Sequence, residues 1–130
     1  MSAHLSKVRV LVADDKADTA QRVCSLLCET ADVDVIGPAR DGVEALEFFV
    51  KFSPDGAVLD FSMPELNGLQ VLREIRASGR PCWVVILTSQ AEPSIREACL
   101  AAGADHFLHK AFGLDALGEI VAAYVRGDEA

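Results

Sequence analysis

Six polar residues stand at the carboxyl ends of otherwise apolar runs, and they raise the chemical question that the chain poses. Asp14-Asp15 follow Val8 to Ala13, Asp60 follows Gly56 to Leu59, Thr88-Ser89 follow Trp83 to Leu87, and Lys110 follows His106 to His109. The runs are short, turn-bounded and rich in β-branched residues, which predicts buried strands rather than helices. Pro64 biases Met63 away from helical geometry, so Asp60 falls where a strand turns into a loop. In an open parallel α/β sheet, ligands bind at that carboxyl edge. With the first and third strands side by side, Asp14, Asp15 and Asp60 share a small volume. At about 5 Å and an effective dielectric near 20, each carboxylate pair repels by about 3 kcal/mol. A protonated acid, the Lys110 ammonium or a bound cation would offset that repulsion. All-oxygen ligands with no Cys or His nearby favour a hard divalent ion, Mg²⁺ or Mn²⁺. Alone, Asp14-Asp15 reads equally well as a helix-capping pair. Together with Asp60 and Lys110 it reads as a metal-assisted anion site.

The elements that must position these groups follow from periodicity. After the first strand, Ala20, Val23, Cys24, Leu27 and Ala31 repeat at helical spacing. Val33 to Gly37 reads as a second strand that ends before Pro38. Asp41 is placed to cap the next helix, with Glu44 three residues on to reach back, and Ala45, Leu46, Phe49 and Phe52 form its core face. A third helix buries Gly68, Val71, Leu72 and Ile75 and stops at Ser78-Gly79-Arg80-Pro81. Pro93 suits a first helical position, and Ile95, Ala98, Cys99 and Ala102 repeat before Gly103. The last helix carries Leu117, Ile120, Val121 and Tyr124, with Gly118 a weak point inside it. Five strands alternating with five helices predict a doubly wound, three-layer α/β/α sandwich with a parallel sheet. Right-handed crossovers with helices on both faces give the order 2-1-3-4-5.

Composition narrows the function. A length of 130 residues suits one domain with a real core. The formal charge of -8, with scattered Arg and Lys, argues against direct nucleic-acid binding. No stretch approaches the ~20 apolar residues of a membrane helix, and Met1 to Lys7 has no signal-peptide character, so a cytoplasmic location is expected. Cys24, Cys28, Cys82 and Cys99 follow no metal-ligand spacing and are read as reduced, partly buried thiols in a reducing compartment. No internal repeat, low-complexity tract or linker is evident, so residues 1–130 are read as one domain without an output domain.

The set resembles, over nearly the whole length, the receiver domain of bacterial two-component response regulators, a flavodoxin-like fold. The matching features are Asp14-Asp15, Asp60 followed by Met63-Pro64 and Asn67-Gly68, Thr88-Ser89, Gly103-Ala104 and Lys110. Val35-Ile36-Gly37 and Ala39-Arg40-Asp41-Gly42 are similar to receivers of LuxR/NarL-type regulators. The resemblance implies that Asp60 accepts a phosphoryl group from a phosphohistidine of a histidine kinase or phosphotransfer protein. Asp15, Asp60 and the Ser62 carbonyl would bind Mg²⁺, with Asp14 acting mostly through water. Lys110 and the metal would neutralise the transferring group, and Thr88 would hydrogen-bond a phosphoryl oxygen. Phe107 falls at the switch-aromatic position. Ser62 and Gln90 flank the route of a hydrolytic water and are expected to set the phosphoryl lifetime. A downstream protein or second copy would bind the face of the fourth helix, fifth strand and fifth helix. Weak self-phosphorylation from small phosphodonors and autodephosphorylation are expected, without true enzymatic turnover.

Three departures stand out. Ala111 follows Lys110 where many receivers have Pro with a cis bond. A cis bond before Ala costs about 3 kcal/mol, so a trans bond with a shifted loop is expected. Phe107 lacks the hydroxyl of the commoner Tyr, and His109 beside Lys110 is read as a satisfied strand histidine, as are His4 and His106. Competing readings are a phosphorylation-independent interaction module, the isolated receiver of a longer DNA-binding regulator, and an aspartyl-nucleophile hydrolase. The complete polar set argues against the first. The hydrolase wants an acid two residues after its nucleophile, where this chain has Ser62. A flavin-binding version of the fold would need a phosphate-cradling loop, and no such loop or Walker A motif is present.

Overall fold

The apolar runs pair as parallel strands. The computed structural model describes residues 7–30, 32–90 and 92–127; the readings of His4 and Ala31 lie outside them. The chain alternates β1 (Val8–Ala13), α1 (Ala17–Cys28), β2 (Val33–Ala39), α2 (Gly42–Phe52), β3 (Gly56–Leu59), α3 (Gly68–Ala77), β4 (Trp83–Thr88), α4 (Pro93–Ala101), β5 (His106–His109) and α5 (Leu114–Arg126). The sheet order is β2-β1-β3-β4-β5, all parallel. This is the doubly wound α/β/α sandwich expected.

Side-chain alternation along the strands builds two cores. On β1, Leu11 and Ala13 point to the face covered by α2, α3 and α4, where they meet Ala45, Phe49, Val71, Leu72, Ile75 and Cys99. Val10 and Val12 point to the opposite face and meet Val23 and Leu27 of α1 and Leu117 and Val121 of α5. β3 is buried along its whole length, as expected for a central parallel strand. α4 is the thinnest contributor: Cys99 is fully buried, while Ile95, Ala98 and Ala102 are only half-buried. Leu46, Phe52, Ile120 and Tyr124 are likewise half-buried, and Tyr124 stacks on Trp83 with ring centroids 4.3 Å apart.

Three local readings need correction. β2 does not stop before Pro38 but runs to Ala39. It is an edge strand, so a residue without an N–H is tolerated there. The register slips between the Leu11–Ile36 and Ala13–Ala39 pairs, and the Gly37–Pro38 bond within the slip is cis. Asp41 caps α2 by accepting the Glu44 N–H at 2.8 Å, but Glu44 reaches back one residue further, to the Arg40 N–H at 2.9 Å. Cys28 is exposed, because it ends α1 one position beyond the buried Leu27, whereas Cys82 and Cys99 are fully buried. Burial pushes the Cys82 thiol up to about 12. The Lys110–Ala111 bond is trans, as expected: among the described residues only Gly37–Pro38 is cis.

A Cβ added at Gly118 would lie 3.5 Å from Leu26 Cδ1, an ordinary packing distance. Gly118→Ala is therefore expected to raise stability by about 0.5–1 kcal/mol, by removing the cost of a mid-helix glycine and adding a contact. Urea denaturation checks it; a loss of stability would mean that α5 cannot approach Leu26 as described.

Candidate functional site

Each acidic or basic group of the site is the next rung of a ladder that continues past its strand. The Asp14 N–H donates to Ala39 O at 2.9 Å, the Asp60 N–H to Ala13 O at 2.9 Å, and the Lys110 N–H to Thr88 O at 3.0 Å. Sheet register therefore carries these backbones to one edge. The extension of β2 through Pro38 has a purpose here, because Ala39 anchors the acidic pair.

The loop after Asp60 is held as tightly. The Gly68 N–H donates to Phe61 O at 2.8 Å, and a Cβ on Gly68 would sit 2.4 Å from Asp60 O, so only glycine permits this approach. Asn67 and Gln70 form a reciprocal capping box at the start of α3. Glu65 takes a left-handed φ of 71°, which costs a non-glycine residue about 1–2 kcal/mol. Such strain is a common mark of functional loops.

The side chains converge. Carboxylate oxygens of Asp14, Asp15 and Asp60 lie within 4.8 Å of one another. Asp14 and Asp60 are buried, and Asp15 faces solvent. Lys110 Nζ bridges the two buried acids, 2.8 Å from Asp14 Oδ2 and 2.9 Å from Asp60 Oδ2. Asp60 Oδ1 also accepts the Ser62 N–H at 3.2 Å, and the Thr88 hydroxyl hydrogen-bonds the Asp60 carboxylate. Thr88 Oγ1 in turn accepts the Gln90 N–H at 3.1 Å. Phe107 pairs with Ile86 across β4 and β5 and packs, half-buried, against the α2–α3–α4 core. His109 is the satisfied strand residue expected: its Nδ1 accepts the Ala111 N–H at 3.0 Å, and its ring lies 5.2 Å from that of Phe112. His106 meets Tyr124 edge to face.

Lys16 belongs to the site and was not singled out from the sequence. Its Nζ lies 2.9 Å from Asp15 Oδ1 and 3.5 Å from Asp60 Oδ2. A lysine directly after an acidic pair was the available signal. Its reach to Asp60, 44 residues away, exists only in the fold.

Electrostatics separate the two buried acids. Burial pushes Asp60 up, but Lys110, Thr88 and the Ser62 N–H outweigh it and hold the carboxyl below its ordinary range. Burial dominates at Asp14 and holds it above that range, against the opposing Lys110 ammonium and Lys16 N–H. Lys16 is raised chiefly by its hydrogen bond to Asp15. Three convergent carboxylates with only oxygen donors fit a hard divalent cation.

The chain matches the family model described as the response regulator receiver domain over residues 10–122. It is 41% identical over 113 residues to the response regulator MprA of Mycobacterium ulcerans, covering 85% of this chain and 47% of that protein. It therefore spans about half the length of that curated relative. It is also 40% identical over 107 residues to a protein-glutamate methylesterase/protein-glutamine glutaminase of Myxococcus xanthus, covering 82% of this chain and 31% of that protein. Among solved structures, the signal receiver domain of a NarL response regulator from Mycobacterium tuberculosis superposes with a TM-score of 0.86 at 34% identity, covering 94% of this chain and 98% of that one. The chain belongs to the response regulator receiver domain family, the signal-receiving part of two-component systems. Its likeness to a NarL receiver agrees with the LuxR/NarL-type segments in the sequence.

The opposed shifts give a pH signature in metal-free buffer. The low folded pKa of Asp60 adds stability that is present above its unfolded value of about 3.9 and is lost as pH falls through the folded value. The raised pKa of Asp14 does the reverse: stability is lost as pH rises from about 3.9 through its folded value. Asp14→Asn removes that penalty, so it is expected to be more stable than wild type at neutral pH, with the advantage shrinking toward about pH 4. Urea melts in chelator across this range check it; a variant less stable at neutral pH would show that the Lys110 pairing outweighs burial.

Proposed function

We propose that this chain is a phosphoacceptor. Asp60 attacks the phosphorus of a phosphohistidine on a histidine kinase or phosphotransfer protein. An Asp60 oxygen–phosphorus bond forms, the phosphorus–nitrogen bond breaks, and the departing imidazole keeps the electron pair and takes up a proton. The observation that carries this reading is Asp60 itself: 2% exposed, yet held ionised by Lys110 at 2.9 Å beside two further carboxylates. A carboxylate must be ionised to act as a nucleophile. Asp15, Asp60 and the Ser62 carbonyl would hold Mg²⁺, or Mn²⁺ in its place, and Asp14 would act on it mostly through water. When bound, such an ion would supply positive charge beside the transferring phosphoryl group. Lys110 adds an ammonium on the same side, and Thr88 donates to a phosphoryl oxygen. Ser62 and Gln90 border the approach of water and set how long the aspartyl phosphate lasts.

Residues 1–130 then work as one receiver unit in the cytoplasm, modified rather than turning over substrate. The kinase or phosphotransfer partner reaches Asp60 past the β5–α5 loop, where Phe112 is 83% exposed. The readout runs through Thr88 and Phe107 to the face of α4, β5 and α5, which binds a downstream protein or second copy. The thin packing of α4 suits a surface that must change shape. The net charge of -8 argues against direct nucleic-acid binding, and no helix of the described residues is long and apolar enough to cross a membrane.

Mass spectrometry after incubation with Mg²⁺ and a small acyl-phosphate donor is expected to show gain of one phosphoryl group, lost in Asp60→Asn. The same single modification on Asp60→Asn would move the acceptor elsewhere. Millimolar Mg²⁺ is expected to raise the melting temperature, with Asp15→Asn weakening that response more than Asp14→Asn; the opposite ranking would reassign the direct ligand. Thr88→Ala is expected to accept phosphate on Asp60 but to lose most of the phosphate-dependent association. A full association response in sedimentation would break the proposed coupling.

A further inference from the structure

Two ammonium groups divide the three carboxylates of the site between them. Lys110 touches Asp14 and Asp60, and its side chain is 12% exposed. Lys16 touches Asp15 and Asp60, and its side chain is 51% exposed. Asp15 and Asp60 are the two acids read above as direct metal ligands, so Lys16 Nζ contacts the same pair that the cation would use.

We infer that Lys16 is a built-in counter-ion for Asp15 and Asp60 that competes with the divalent cation and thereby sets the metal affinity of the receiver. The inference rests on the reading of this cluster as a Mg²⁺ site. An ammonium and a divalent ion held on the same two carboxylates repel each other even in a partly solvated cleft, so binding the ion works against the Lys16 pairs. Lys110 is enclosed and fixed to both buried acids, whereas half of the Lys16 side chain already faces solvent.

The backbone of Lys16 need not move. Its N–H donates to Asp14 Oδ1 at 2.9 Å, and its carbonyl accepts the Ala20 N–H at 2.9 Å as α1 begins. Only the side-chain torsions have to turn for the ammonium to swing away from the cluster. Metal binding therefore includes the loss of the Lys16 ion pairs, which lowers the apparent affinity. In return, the chain tolerates its clustered acids without metal.

The test is calorimetric titration of Mg²⁺ into chelator-treated, unphosphorylated full chain at fixed ionic strength. Wild type is compared with Lys16→Met, Lys16→Arg and Arg40→Met. Arg40 is exposed and lines the groove beside Asp14 and Asp15, so Arg40→Met removes a positive charge from the same neighbourhood. Lys16→Met is expected to tighten the Mg²⁺ Kd by about three- to fivefold, the upper part of the range that loss of a partly exposed ion pair supports. It is also expected to lower the metal-free melting temperature. Lys16→Arg keeps the charge and is expected to stay within about twofold of wild type, as is Arg40→Met. An unchanged or weaker Kd in Lys16→Met overturns the inference, as does equal tightening in Arg40→Met or in Lys16→Arg. If wild type and Lys16→Met both bind no Mg²⁺, the metal site itself is refuted, and this inference with it. If both bind with equal Kd, the inference fails and the metal site stands.

Discussion

Everything at this site follows from a conflict that the sheet imposes. Parallel register between β1 and β3 makes Asp14 and Asp60 the residues that follow the paired Ala13 and Leu59. Their carboxylates are thus brought together by backbone hydrogen bonds in which their own charges play no part. The bridging ammonium of Lys110 makes that arrangement tolerable, and it reaches both acids because β5 ends one position before it, beside β4. Removing either acid would relax the site; removing Lys110 would leave buried like charges without their shared counter-ion, the costliest kind of vacancy in a protein interior.

The apolar layers are what enforce the conflict. A one-residue slip of any central strand would exchange its two faces and turn the residues now in the α2–α3–α4 core toward α1 and α5. With both faces of β1, β3 and β4 buried, the cost of such a slip far exceeds the carboxylate repulsion. Stability and function therefore draw on separate parts of the chain. The sheet and helices supply rigidity, and the strand ends use that rigidity to hold charges that would otherwise separate.

Much of this was legible because strands and helices carry local periodic signals. The bounds of β1 and β5, the buried set of α3 and the helix start at Pro93 all follow from spacing alone. Convergence of Asp14, Asp15, Asp60 and Lys110 then follows from topology. What was not legible depends on tertiary context. Pro38 reads as a strand terminator unless β2 is known to be an edge. Arg76 looks like a surface residue of α3, yet it donates to the carbonyls of Cys82 and Gly103 and pairs with Asp105 at 3.0 Å, tying α3 to the start of β4 and to the turn before β5. The Asn67–Gln70 capping box, by contrast, is carried by local spacing alone. Lys16 is the most instructive case, since its neighbour Asp15 is local but its second partner Asp60 is not.

The two buried acids show how one pocket can assign different roles to the same side chain. Asp60 receives Lys110, Thr88 and the Ser62 N–H from three different segments, and Lys16 Nζ also stands 3.5 Å away. Asp14 receives Lys110 and the Lys16 N–H, and that smaller set does not overcome burial. The difference lies in the neighbours: Asp60 has the larger set of donors, and the Asp60 charge itself raises Asp14. A group that must present lone pairs to an incoming electrophile needs the first environment. A group that sits behind it and tunes the local charge is served by the second. The same donors also define the coupling to the rest of the molecule, because Thr88 ends β4 and Lys110 follows β5. The Asp60 carboxylate is therefore tied to the two strands on the side of the sheet farthest from the β2 edge.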